Sequence, residues 1–238
     1  MVMDNKEGYD SSHTMYSPDG RMYQVEYARE AIKRGTITCG IVYDEGILLL
    51  VEKKIASKLI EAESIEKIFK IDGHAGCSVS GLVADARVIV EDIRERCQEE
   101  KFYYSHPIDM SELIKDISNM IWYYTFDGGG RPIGVGMLIG GIDKSGSHLY
   151  STDPSGAYEE KYAGALGEKA DLVDKILEEK YKEKLTLMEA LSILVNAISA
   201  TNENKTPFLE MAKITKDKGF SLIPPAELAE MLKTVSSS

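Results

Sequence analysis

Tyr16-Ser17-Pro18-Asp19-Gly20-Arg21-Met22-Tyr23-Gln24-Val25-Glu26-Tyr27-Ala28-Arg29-Glu30-Ala31-Ile32-Lys33-Arg34-Gly35 is the stretch that organises the chain. Ser17-Pro18-Asp19-Gly20 reads as a turn: proline presets φ at its second position and glycine relaxes the fourth. A helix follows, with Val25, Ala28 and Ile32 on one face at i, i+3 and i+7. Glu26 with Arg29 and Glu30 with Arg34 place opposite charges at helical spacing on the other side. Gly35 stands where a left-handed C-cap is expected. So charged a helix, lying ahead of the main fold, is expected to bury little of itself and to find its second surface on a neighbouring subunit.

The 238 residues suffice for one large domain or two small ones. A hydrophobic content of 43% supports a sizeable core, and 28% charged residues fit a soluble surface. No apolar run approaches the roughly 20 residues that span a bilayer. The polar, acidic Met1–Gly8 start is neither a secretory nor a mitochondrial address, and the balance fits a cytoplasmic protein. The net charge of −11 argues against nucleic acid, whose binding draws on Lys and Arg at phosphates. Cys39, Cys77 and Cys97 read as buried thiols of a reducing compartment. His13, His74, His106 and His148 have no ligand-like spacing, so neither a metal nor a cofactor is expected.

Short β-like runs follow the first helix: Thr36–Val42, Ile47–Val51, Lys67–Ile71 and Ala75–Val79, with turns at Asp44-Glu45-Gly46 and Asp72-Gly73. Leu82, Ala86, Ile89, Ile93 and Cys97 form a helical stripe. Met110, Leu113, Ile114, Ile117, Met120 and Ile121 form another, with Asp109 and Glu112 as its capping pair. Gly128-Gly129-Gly130-Arg131-Pro132 breaks the chain. The second half repeats the scheme. Strands are expected at Ile133–Ile142, His148–Ser151 and Ala157–Ala163, then a helix carrying Val173, Ile176, Leu177 and Tyr181. Thr186 and Glu189 form a capping box for a helix with Leu187, Leu191, Leu194 and Ile198 on its face. Strands near Glu210–Ile214 and Gly219–Leu222 precede a last helix, Ala226–Lys233, introduced by Pro224-Pro225. This order is not the strict alternation of a doubly wound sheet. Two antiparallel sheets stacked face to face, with helix pairs outside, bury every stripe in a single domain.

Ser17 to Ala31 resembles, position by position, the N-terminal helix of proteasome α subunits, the archaeal kind most closely. Ser80-Gly81-Leu82-Val83-Ala84-Asp85-Ala86-Arg87, Arg131-Pro132-Ile133-Gly134-Val135 and Asp153-Pro154-Ser155-Gly156 are similar to further motifs of that family. The resemblance runs from Tyr9 to Lys233. It implies an α/β, four-layer αββα sandwich of the N-terminal-nucleophile hydrolase type. A gate segment would occupy residues 1–15, the α-subunit helix 16–35 and the sandwich 36–238. The implied function is that of a non-catalytic subunit of a threonine-protease particle. Its outer seven-membered ring would stack on β subunits, admit unfolded protein and open when an ATPase or other activator docks. On the same basis Tyr9, Asp10, Pro18 and Tyr27 match the gate cluster. Lys67, within Ser64-Ile65-Glu66-Lys67-Ile68, matches the lysine of a pocket between neighbouring α subunits that receives hydrophobic-Tyr-X C-terminal tails. Gly20, Arg21, Met22, Ala31, Arg34, Gly35 and Leu82 match other positions around it. The family's Tyr-Asp-Arg appears here as Tyr9-Asp10-Ser11, without its arginine, which implies a gate that closes less tightly or loses a contact to the adjacent tail.

The superfamily's enzymes use an N-terminal nucleophile whose own α-amine is the base, with a lysine beside it. Alignment with a catalytic β subunit puts Thr36 at the nucleophile position, Glu52 at the first acidic position and Lys67 at the lysine. Thr36, however, is joined to Gly35 by a peptide bond. The family's Gly-Ser-Gly is Gly167-Glu168-Lys169 here, and its following aspartate corresponds to Glu210. Thr36 is therefore read as a vestigial nucleophile position. Two other readings stay open: a β-like threonine hydrolase released by cleavage at Gly35-Thr36, and an α paralogue that enters mixed rings.

Overall fold

The computed structural model describes residues 8–12, 14–55, 57–127, 130–201 and 208–236. Residues 1–7 and 13 of the expected gate segment, Gly128-Gly129 of the expected break, and Ser237-Ser238 lie outside these. Two five-stranded antiparallel sheets form the centre. One contains β1 (Thr38–Tyr43), β2 (Gly46–Lys53), β8 (Ala163–Leu166), β9 (Phe208–Thr215) and β10 (Gly219–Leu222), in the order β10-β9-β2-β1-β8. The other contains β3 (Ile68–Asp72), β4 (Ala75–Gly81), β5 (Val135–Asp143), β6 (Gly146–Thr152) and β7 (Tyr158–Glu160), in chain order. Helices α2 (Val83–Tyr104) and α3 (Met110–Phe126) cover the second sheet, and Ala86, Ile89, Ile93, Cys97, Leu113, Ile117 and Ile121 are buried there. Helices α4 (Ala170–Lys180), α5 (Leu187–Ser199) and α6 (Pro225–Ser236) cover the first. This is the αββα sandwich.

Where the sheets face each other, Ile47, Leu49, Leu138, Leu149 and Ile214 fill the space between them. Leu149 lies over Gly40, while Ile47 and Ile214 lie over Gly140, so large side chains of one sheet seat in notches of the other. Buried on both faces, β2 is apolar from Ile47 to Val51 rather than alternating. All three cysteines are buried as free thiols.

Helix α1 (Tyr23–Lys33) departs most from expectation. Tyr23, Val25, Ala28 and Ile32 are buried, so the helix does find a surface within its own chain, against β4 and β5. The methyls of Ile32 lie with Leu166 of the opposite sheet over Gly136, which places α1 at the mouth between the sheets. Its charges also choose other partners. Glu26 pairs with Arg21, Arg29 with Asp153 and Lys33 with Glu30. The helix ends through Arg34 in ordinary right-handed geometry, not through a left-handed Gly35. Glycine is required at 35 for another reason: a Cβ there would lie 2.4 Å from both the Gly81 amide nitrogen and Ser80 Oγ.

Three further expectations are corrected. The run Ala157–Ala163 is not one strand: β7 pairs with β6, β8 pairs with β1, and the chain crosses between sheets at Lys161-Tyr162. Asp109 makes no side-chain cap on α3; its carboxylate meets Lys144 at 2.7 Å, and Glu112 turns to Arg96. Leu82 lies ahead of α2 as its N-cap and is half exposed rather than part of the buried stripe. The Thr186–Glu189 capping box forms in both directions.

Gly35→Ala forces its methyl into the Gly81 backbone. The expected cost is about 2 kcal/mol, and thermal unfolding checks it through a melting temperature lower by roughly 4–8 °C.

Candidate functional site

At the C-terminal end of α1 the chain enters β1 through Gly35-Thr36 and meets two other segments. Ser80 Oγ lies 3.2 Å from the Ile32 carbonyl and 3.1 Å from that of Thr36, sharing its proton between them. From the third segment, the Glu168 amide donates to the Gly35 carbonyl at 2.8 Å. Lys67, immediately before β3 and 5% exposed, reaches into this junction. Its Nζ donates to the Thr36 carbonyl at 2.9 Å, to the Glu52 carbonyl at 3.2 Å and to the Thr36 hydroxyl. That hydroxyl in turn donates to the Glu52 carbonyl at 2.7 Å. Burial pulls the Lys67 ammonium down to about 8, and the carboxylates of Glu52 and Glu210 oppose the shift. Lys53, also buried, holds Glu210 at 2.6 Å.

A lysine on a threonine hydroxyl is the beginning of a nucleophilic site, and the alignment of Thr36 with Lys67 puts the two together as the sequence suggests. The rest of the machinery differs. The Thr36 nitrogen is a peptide nitrogen, and what Glu52 offers Thr36 and Lys67 is its main-chain carbonyl. Glu210 is engaged by Lys53. In the Gly167-Glu168-Lys169 turn, Lys169 takes a left-handed conformation (φ 59°), which costs a side-chain-bearing residue roughly 1–2 kcal/mol. Its Nζ donates to the Thr201 carbonyl at 2.6 Å.

The residues matched to a tail pocket fall into two groups. Ala31, Arg34, Gly35, Lys67 and Leu82 gather round the C-terminal end of α1, with Leu82 directly after the Gly81 that packs on Gly35. Gly20, Arg21 and Met22 stand at the other end, separated by the helix length of about 16 Å. There Ser17, Pro18, Asp19 and Gly20 form a tight turn: the Gly20 amide bonds the Ser17 carbonyl at 2.8 Å, and Gly20 has φ +78°. Ser17, 5% exposed, donates from its hydroxyl to Asp19 and accepts from the Arg21 amide. Arg21 forms a bidentate pair with Glu26, and its guanidinium lies 5.3 Å from the Tyr23 ring centre. Met22 is the N-cap of α1. Of the four residues matched to a gate cluster, Tyr27 and Asp10 touch directly, hydroxyl to carboxylate at 3.2 Å. Tyr9 precedes Asp10 in a turn that Ser11 closes on Gly8 at 2.6 Å.

Three groups were not singled out from sequence. Ser80 ties α1 to β1, and the bidentate pair of Arg29 with Asp153, at 2.7 and 2.9 Å, fastens α1 to the β6–β7 turn. Gln24 donates its amide to the Asp10 carbonyl. Only Gln24 left a local signal, its place three residues before Tyr27 on one helix face.

Two family models match the chain: that of the proteasome subunit over residues 32–210, and the N-terminal signature of α-type proteasome subunits over residues 9–31. The chain belongs to the proteasome subunit family, α type. It is 44% identical over 239 residues to a proteasome alpha subunit of Methanopyrus kandleri, covering 100% of this chain and 97% of that one. To the Methanocaldococcus jannaschii alpha subunit it is 43% identical, covering 99% and 91%. To that of Methanobrevibacter smithii it is 48% identical, covering 84% and 80%. The α-type signature thus covers the anchored residues 9–12, the Ser17–Gly20 turn and most of α1. Among the described residues of this α-type chain, no helix is long and apolar enough to cross a membrane.

Lys67 gives this junction a pH signature. Its native pKa of about 8 lies below the ordinary lysine value of 10.5. Between those values the unfolded chain holds a proton that the native one lacks, so stability contributed at Lys67 rises with pH across that window. Relative to Lys67→Met, the intact protein is expected to gain unfolding free energy from about pH 8 to 10.5 and to run parallel below it. Urea titrations of both proteins at each pH measure the difference.

Proposed function

We propose that the chain is the non-catalytic, gating α subunit of a proteasome core particle in the cytoplasm. Residues 1–15 serve as the gate segment, 16–35 as the docking helix and 36–238 as one sandwich domain. Copies of the chain form the outer heptameric ring on β subunits, and unfolded proteins pass through it to be cut by the β threonines. ATPase or other activators open it with C-terminal tails of the hydrophobic-Tyr-X type. Neither nucleic acid nor membrane is a partner, in keeping with the net charge of −11.

The carrying observation is the split of the pocket residues between the two ends of α1. A tail a few residues long contacts both groups at once only where one end of α1 in one copy lies beside the opposite end in the next. Lys67 then supplies the cation for the tail carboxylate, in a setting dry enough to strengthen the pair. Docking requires Lys67 to exchange a carbonyl partner at Thr36 or Glu52 for that carboxylate. Hydrolysis at Thr36 itself is disfavoured, because its nitrogen is acylated by Gly35 and cleavage there would discard α1.

A particle co-expressed with an archaeal β subunit tests this. Native mass spectrometry is expected to show rings of seven intact chains. A peptide ending in hydrophobic-Tyr-X is expected to stimulate hydrolysis of a fluorogenic peptide, and Lys67→Ala to reduce that stimulation at least tenfold while the particle still assembles. A chain that begins at Thr36 would establish the hydrolase instead. Rings that form only with a second α-type chain would favour the mixed-ring paralogue, for which Ser11 and the left-handed Lys169 are the motivating departures. Stimulation untouched by Lys67→Ala would remove the pocket.

A further inference from the structure

The segment ahead of α1 is fastened by two side chains on one helix face, at i and i+3. Gln24 donates to the main-chain carbonyl of Asp10, and Tyr27 donates to the carboxylate of the same residue at 3.2 Å. The two contacts do different things. A bond to the carboxylate alone leaves the Asp10 backbone free to swing about its side-chain torsions, whereas a second bond to the main chain fixes where the peptide itself lies. The clamp is mounted on firm ground. Tyr27 stacks on the buried Tyr23 with ring centres 6.5 Å apart, and Arg29, further along the helix, is bound to Asp153 through both carboxylate oxygens. On the other side of Asp10, the Ser11 hydroxyl closes the turn onto Gly8. Each of these ties comes from the chain itself.

We propose that Gln24 is a positioning residue: with Tyr27 it forms a two-point clamp on Asp10 that sets the direction in which the chain ahead of α1 leaves the subunit. The clamp stands on the geometry of Gln24, Tyr27 and Asp10. Its consequence for substrate entry rests on the gating function proposed above. Because both legs come from the same chain, Asp10 is already tied to Tyr27 in a single copy.

Two measurements separate the clamp from the gating reading. The first is hydrogen exchange of the full chain, comparing the wild type with Gln24→Met, which keeps the length and loses the donor, and with Tyr27→Phe. Each substitution removes one leg and is expected to speed exchange in residues 8–12 about fivefold. Exchange within residues 25–33 and the melting temperature are expected to stay as they were, which a general loosening of α1 would not allow. Wild-type exchange in Gln24→Met, beside faster exchange in Tyr27→Phe, would overturn the proposal, since Asp10 would then be held by Tyr27 alone. The second is activator-free hydrolysis of a fluorogenic peptide by the particle assembled with β subunits. Gln24→Met is expected to slow it at least threefold, with the number of β threonines labelled by a covalent inhibitor at saturation unchanged. Faster exchange with unaltered peptide entry would uphold the clamp and defeat the gating reading.

Discussion

At Gly35, Gly81 and Gly167 three backbone segments close in around the Ser80 hydroxyl, and the arrangement of the candidate site follows from that contact. Because Gly35 lies flat on Gly81, α1 can leave the mouth of the sandwich and pass straight into β1. Because Gly167 leaves no room for a Cβ beside the Thr36 and Gly35 carbonyls, the turn before α4 closes the junction from the other side. The peptide groups crowded there need partners, and Ser80, the Glu168 amide and Lys67 supply them. Lys67 therefore has a structural task before any other: it satisfies carbonyl oxygens at the junction between α1 and β1.

That task has an electrostatic cost. Two ammonium groups, Lys53 and Lys67, are buried within one corner, and Lys53 has the Glu210 carboxylate at hydrogen-bond distance. Lys67 is instead held by neutral oxygens, which explains why burial dominates its proton affinity. A buried cation held by dipoles is a strong prospective partner for an anion brought to it, because the desolvation has already occurred on folding. Structural support and anion capture are thus compatible uses of one side chain.

Features that depend on residues near in sequence were legible. The Ser17–Gly20 turn, the apolar face of α1 (though not its burial within its own chain), the capping box at Thr186 and the apolar β2 all follow from spacing of three or four residues or from continuous burial. The αββα order followed from the sequence of elements and from the motifs of the resemblance together. What could not be read depends on distant partners. Arg29 pairs with Asp153, 124 residues away, although Glu26 stands at helical spacing on its own helix. Ala157 to Ala163 reads as one strand, although β7 pairs with β6 and β8, which begins at Ala163, pairs with β1 of the other sheet. Gly35 shows how a correct expectation of glycine can have the wrong cause: the residue is demanded by proximity to Gly81, not by its own torsions. The site was legible as a set of positions, while the division of those positions between the two ends of α1 required the fold.

Leu149 seated over Gly40, and Ile47 and Ile214 seated over Gly140, have a mechanical consequence. Sliding one sheet along the other would lift each of them out of its notch and open voids in a close-packed interior. The two sheets therefore behave as one stiff wall. A displacement of α1 or of the turn before it therefore finds little compliance inside the sandwich. A protein built this way is a stiff frame whose two sheets move as one.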